Sequence, residues 1–204
     1  MARVAVTPGE FTFVAYDAAR IAAIAEKVAV DVGLGDSEIV VEVDDSTPLA
    51  RTRVESIGSA GSGDAPDAPD EPVRLHVEGG AFEDPAEPRH LSEPRTADVV
   101  GRLLWRVVDR RSGRFDGAPP DAELTLKEQV AWDTYAMGRL ERLGYDVQEP
   151  RRRYHFRTRH GFTDVADRVY ERLWSAPDGS LSWSDVAAAC AETAAVRSEP
   201  QSPD

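Results

Sequence analysis

Residues 151 to 160 read RRRYHFRTRH: five arginines, two histidines, a tyrosine and a phenylalanine, with no acid among them. Guanidinium forks match carboxylate and phosphate oxygens two at a time, and aromatic rings beside them can stack on a base or cover an apolar side chain. The chain carries a formal net charge of −13, and outside this segment 19 basic residues face 37 acidic ones. A dense, aromatic-studded positive segment on an acidic body is the natural place for a contact with something outside the molecule. The candidate binding residues are Arg151, Arg152, Arg153, Tyr154, His155, Arg157, Arg159 and His160.

Three fates compete for these arginines. They can pair with the chain's own acids, dock an acidic protein surface, or hold a phosphate-bearing ligand, nucleotide or RNA. The negative body ranks the first two above the third, because long-range repulsion opposes a polyanion before any local contact forms. Duplex nucleic acid is disfavoured further, since domains that bind it usually display net positive charge. The count itself needs a discount. Lys27 and Lys127 are the only lysines against 22 arginines, the skew a GC-rich bacterial genome produces.

Other chemistry finds little support. His155 and His160 lie five residues apart, about 140° on a helical wheel, and five arginines around them repel a cation. His76 and His90 are distant, and no cysteine pair or HExxH accompanies them, so no metal site is expected. Cys190 sits in AAACAE, where it reads as a small buried hydrophobe; a nucleophilic cysteine needs a base and an electropositive pocket. Asp44-Asp45 and Glu83-Asp84 fall at strand ends or turns, where carboxylates cap backbone amides. Nothing nearby fixes the environment an acid–base pair requires. GLGDS at 33 to 37 follows a helix and precedes a strand, the reverse of the order that aims a helix dipole at phosphate. No cofactor motif is present.

The elements that must position these residues are read from periodicity. Phe11 to Val14 is a short apolar strand candidate. Ile21, Ile24, Ala25, Val28 and Val32 follow helical spacing, with Asp17 as N-cap and Gly33 as stop. Glu38–Val43 alternates as a strand, Asp44–Pro48 supplies a turn, and Arg51–Ile57 reads as its hairpin partner. Residues 58 to 72 contain no large apolar side chain and read as a mobile loop. Val73, Leu75 and Val77 mark one more strand.

Beyond Pro85, Pro88 and Pro94 the pattern is helical. One helix is expected from Ser92 to about Ser112, with Gly113 as stop. A second starts at the Thr125/Glu128 capping box and ends at Gly144. Two more open at Thr163 and Ser182. The arginine segment itself reads either as a strand or as a helix between Pro150 and Gly161; its helical neighbours favour the helix. The four tryptophans, one near each predicted helix, are read as core anchors.

The expected fold is α+β: a small antiparallel sheet with one packed helix over residues 1–82, then a helical subdomain of four to five helices over 92–195. A disordered tail is expected at 196–204. A chain of 204 residues with one cysteine has no internal disulfide, no apolar run of the roughly 18 residues a membrane span needs, and no signal-peptide core, so a cytoplasmic location is expected. The leading function is a non-enzymatic interaction or regulatory module that uses the basic-aromatic patch. Binding of a phosphate-bearing ligand through the same arginines is the alternative, and an enzyme with a site assembled from distant residues is the third reading.

Overall fold

Strand β1 (Arg3–Thr7) is the first element of the computed structural model, which describes residues 2–55 and 72–195. The tail expected at 196–204 and all but the last residue of the loop expected at 58–72 lie outside the described residues. The chain divides into two compact units, Met1–Val108 with Pro120–Ala122, and Asp109–Pro119 with Glu123–Asp204.

In the first unit, β1 leads through helix α1 (Ala18–Asp31) to β2 (Glu38–Asp44), then β3 (Thr52–Glu55) and β4 (Val73–Glu78). The strand order is β1-β2-β4-β3. β1 and β4 both run parallel to β2, and only β3 pairs antiparallel, with β4. The fold is α+β as expected, but the sheet is mixed. The expected hairpin between β2 and β3 does not form, and Phe11–Val14 is not a strand.

The physical reason lies in the strands' apolar content. β2 buries Ile39, Val41 and Val43 and half-buries Val40, so it profits from neighbours on both sides. β3 is four residues long and buries only Val54, which suits an edge. Parallel pairing of β1 with β2 needs a long crossover, and α1 supplies it. Asp17 caps that helix, its carboxylate accepting from the Ala19 and Arg20 amides.

The sheet register aligns Ile39 with Val73, Val41 with Leu75 and Val43 with Val77, making one continuous buried face. Each such side chain contributes on the order of 2 kcal/mol by leaving water. Helix α2 (Glu93–Arg111) adds Val100, Leu103, Leu104 and Val107. Asp121 ties it to the sheet: one carboxylate oxygen accepts from Arg106, 2.8 Å away, and from the Val54 amide, 3.0 Å away.

The last three residues of α2 belong to the second unit, with α3 (Leu126–Arg142), α4 (Glu149–His160), α5 (Asp164–Ser175) and α6 (Trp183–Ala195). The arginine segment is thus a helix, as its neighbours suggested. Both bonds of the Thr125/Glu128 capping box are present. At the other end of α3, Gly144 takes a positive φ of 89°, and the Tyr145 amide reaches back to the Leu140 carbonyl at 3.1 Å.

A buried ion pair centres this unit. Arg139 donates two bonds of 2.7 Å to Asp109, whose Oδ2 also accepts from the Trp132 indole. The Arg139 guanidinium lies 3.9 Å from the centroid of the Tyr135 ring. Trp105, Trp132 and Trp174 are buried in their respective units, as expected of anchors, and Trp183 is half-buried against Trp132. Among the described residues no helix is long and apolar enough to cross a membrane.

Gly138 permits the close approach of α3 to the end of α5: a Cβ there would sit 2.1 Å from the Trp174 carbonyl oxygen. Alanine in place of glycine normally stabilises a helix by up to about 1 kcal/mol. Gly138→Ala should instead destabilise by about 2 kcal/mol, because rigid backbone must move. A lower urea midpoint at unchanged slope is the expected result, and a raised midpoint would contradict this packing.

Candidate functional site

Helix geometry sorts the arginine segment onto two sides. At 100° per residue, Tyr154, Thr158, Arg151, His155 and Arg159 occupy an arc of about 140°, while Phe156, His160, Arg153 and Arg157 fall on the opposite one. The first five are exposed. Phe156 and His160 are buried, and Arg152, Arg153 and Arg157 are partly covered.

The inner side is neutralised from within the unit. Arg157 forms a fork-to-fork pair with Asp167 of α5, Nε to Oδ1 and Nη2 to Oδ2, both at 2.7 Å. That pairing raises the guanidinium pKa and lowers that of the carboxyl. Arg153 reaches Glu149 one turn earlier, at 3.0 Å, and also Glu171 of α5. Its guanidinium lies over the Tyr170 ring, 4.7 Å from the centroid. Tyr170 is itself buried, which raises its phenol pKa. Asp167 and Glu171 stand four residues apart on α5, so one edge of that helix meets two guanidiniums on α4.

His160 is a core residue. Its ring stacks on Phe156 with centroids 4.0 Å apart, Nε2–H donates to the Lys127 carbonyl at 3.1 Å, and Nδ1 lies 2.8 Å from the Thr193 hydroxyl. Burial pushes its pKa down to about 4. A neutral ring with both nitrogens engaged has no external ligand to offer. His155 lies on the exposed arc, so the two histidines point apart, and among the described residues no three His, Cys, Asp or Glu side chains form a metal-binding group.

The outer side is different. Arg151 and Arg159 are exposed and meet no carboxylate among the described residues. On the same exposed arc, about 60° around the helix from Arg151, stands Tyr154, 63% exposed, and its ring meets that of Phe162, 65% exposed, with centroids 5.9 Å apart in an edge-to-face arrangement. Gly161, at a φ of 112°, ends α4 and turns the chain so that Phe162 reaches back to Tyr154. Sequence reasoning did not assign Phe162 to the site. The available signal was a large aromatic directly after a helix-ending glycine, on the far side of which stood another aromatic.

The remaining sequence candidates serve structure. The Asp45 carboxylate accepts from the Thr12 and Phe13 amides at 2.7 and 2.9 Å, which lowers its pKa. Asp44 and Asp84 each accept a backbone N–H two residues on, and Glu83 accepts from the Arg89 amide. Cys190 is half-buried, and burial pushes its thiol up to about 11, so it is protonated at neutral pH. No protein-family model, no curated protein and no solved structure matches this chain.

The His160 environment has a testable consequence. The ordinary value is 6.5 and the folded value about 4, so between these the unfolded chain binds a proton that the folded chain refuses. The contribution is fully present above pH 6.5 and is lost as pH falls towards 4. The stability difference between the wild type and His160→Gln should therefore shrink as urea denaturation is repeated from pH 7.5 to pH 4.5. A difference independent of pH would refute the buried neutral ring.

Proposed function

We propose that this protein is a cytoplasmic, non-enzymatic interaction module that docks a compact acidic protein surface on the outer face of α4. The observation that carries the reading is that two exposed arginines, Arg151 and Arg159, share one arc of α4 with the exposed Tyr154, whose ring packs on that of the exposed Phe162. Exposed arginine and tyrosine are the side chains that most often anchor protein contacts. A chain of net charge −13 supports the same choice. At physiological salt, charges beyond about 8 Å are screened, so a compact acidic patch feels mainly the local arginines. A long polyanion such as RNA would extend past the basic spot and over the acidic body. The single, half-buried cysteine suits a reducing compartment.

The test compares a short glycine-flanked hexaglutamate peptide with a twenty-nucleotide single strand, both by fluorescence anisotropy. Wild type should bind the peptide more tightly than the nucleic acid, and Arg151→Ala/Arg159→Ala should weaken the peptide at least tenfold, the equivalent of about 1.4 kcal/mol. Arg168→Ala removes one positive charge from an exposed position on α5 and should change binding less than twofold. Equal losses in both variants would reduce the effect to net charge and overturn the reading. Tighter binding of the single strand would replace it with the phosphate-ligand alternative.

A further inference from the structure

The two rim strands of the first unit's sheet, β1 and β3, carry backbone groups that point away from it, and the rims differ in what meets those groups. At the β3 rim the outward amide is taken. Val54 N–H donates to Asp121 Oδ2 at 3.0 Å, and Arg106 holds the same oxygen at 2.8 Å. At the β1 rim the ladder shows which groups are left. Arg3 N–H donates to the Ser37 carbonyl, so Arg3, Ala5 and Thr7 turn their backbone towards β2. The N–H and C=O of Val4 and Val6 therefore point outward, and among the described residues none of these groups meets a partner. Pro8, which has no N–H, closes the edge.

An open edge of this kind accepts a further strand, and β1 complements its own copy. Run antiparallel about a twofold axis at Ala5, Val4 faces Val6 of the second copy and Val6 faces its Val4. Both are then hydrogen-bonded pairs, each exchanging both N–H···O bonds, and every outward group within β1 is used. A slip of one residue would set Val4 against Ala5, whose backbone is committed to β2. Arg3 comes to lie opposite Thr7 of the second copy, so no like charges meet. Side chains agree with this register. Val4 and Val6 are half-buried and align with the buried Ile39 and Val41. Pairing would carry the rows Val73–Ile39–Val4 and Leu75–Val41–Val6 on into the second sheet.

We infer that the β1 edge is an interface between two copies of this chain, which joins their four-stranded sheets through an antiparallel β1–β1 pair centred on Ala5. The edge is five residues long, about 17 Å, so the dimer is weak and its population depends on concentration. Electrostatics give it a signature. Two bodies of net charge −13 repel, while backbone hydrogen bonds hold them, so added salt strengthens the pair. Self-association through the α4 arginines on an acidic surface would respond to salt in the opposite direction.

The experiment is sedimentation velocity on the full chain over a hundredfold range of concentration. Wild type should show a reversible monomer–dimer equilibrium, at least threefold tighter at 1 M salt, where the Debye length is about 3 Å, than at low salt. Ala5 is exposed, and at the axis it would face its own copy across a non-hydrogen-bonded pair with Cα atoms about 4.5 Å apart. At low salt Ala5→Lys and Ala5→Glu should therefore each weaken self-association at least threefold, since each sets like charges against one another. An equimolar mixture of the two variants should form a heterodimer at least as tight as the wild-type pair. Arg151→Ala/Arg159→Ala should leave the dimer in place. A wild type that stays monomeric throughout, or one whose association weakens with salt, would overturn the inference. So would loss of the dimer in the arginine variant, or a Lys–Glu mixture no tighter than either variant alone, because the contact would then lie elsewhere on the molecule.

Discussion

The fork-to-fork pair between Arg157 and Asp167 fixes how α4 is rotated, and the character of the site follows from that rotation. With Arg153 held between Glu149 and Glu171 on the same flank, α5 takes up two guanidiniums and leaves the helix one orientation in which its charges are satisfied. Phe156 and His160 then face the core, and Arg151, Tyr154 and Arg159 face outward. A helix with five arginines could not bury any one flank without such partners, because an unpaired guanidinium removed from water is costly. The acids of α5 therefore act on the outer face indirectly, by deciding which arginines remain on it.

The pair is only partly covered, so its role is orientation more than raw stability. Stability in this unit comes from elsewhere. Asp109, Arg139 and Trp132 form a buried hydrogen-bonded cluster, and α3 meets the end of α5 through the space left at Gly138. Removing one partner of a buried pair of this kind typically costs 3–5 kcal/mol, whereas an exposed ion pair rarely exceeds about 1 kcal/mol. The division is useful for a docking face: the outer arginines contribute little to folding and are available for contact.

Local chemistry made much of this legible in the sequence. The Asp17 cap, the Thr125/Glu128 capping box, the Thr163 cap and the glycine stops at Gly144 and Gly161 are signals a few residues long, and each was read where it occurs. The α+β class followed from the change in periodicity along the chain. The sheet order did not, because pairing partners are set by tertiary packing. Alternation in Glu38–Val43 and Thr52–Glu55 is equally compatible with a hairpin, and nothing local says that β4 inserts between them. β1, with its exposed and half-buried residues, carries too weak a pattern to stand out. The arginine cluster was located correctly as a helix, but linear reading treated its members alike. Sorting them required the position of Asp167 and Glu171, ten or more residues away on another helix.

The partition of the arginines is the claim on which the functional account stands, and guanidinium hydrogen exchange measures it residue by residue. In a nitrogen-edited NMR experiment on the full chain, the Nε–H signals of Arg153 and Arg157 should exchange slowly, since each donates to a carboxylate at 3.0 and 2.7 Å respectively. Those of Arg151 and Arg159 should exchange at the rate of a solvated side chain. Protected signals at Arg151 and Arg159, or fast exchange at Arg157, would mean that α4 is turned otherwise and that the proposed face does not exist.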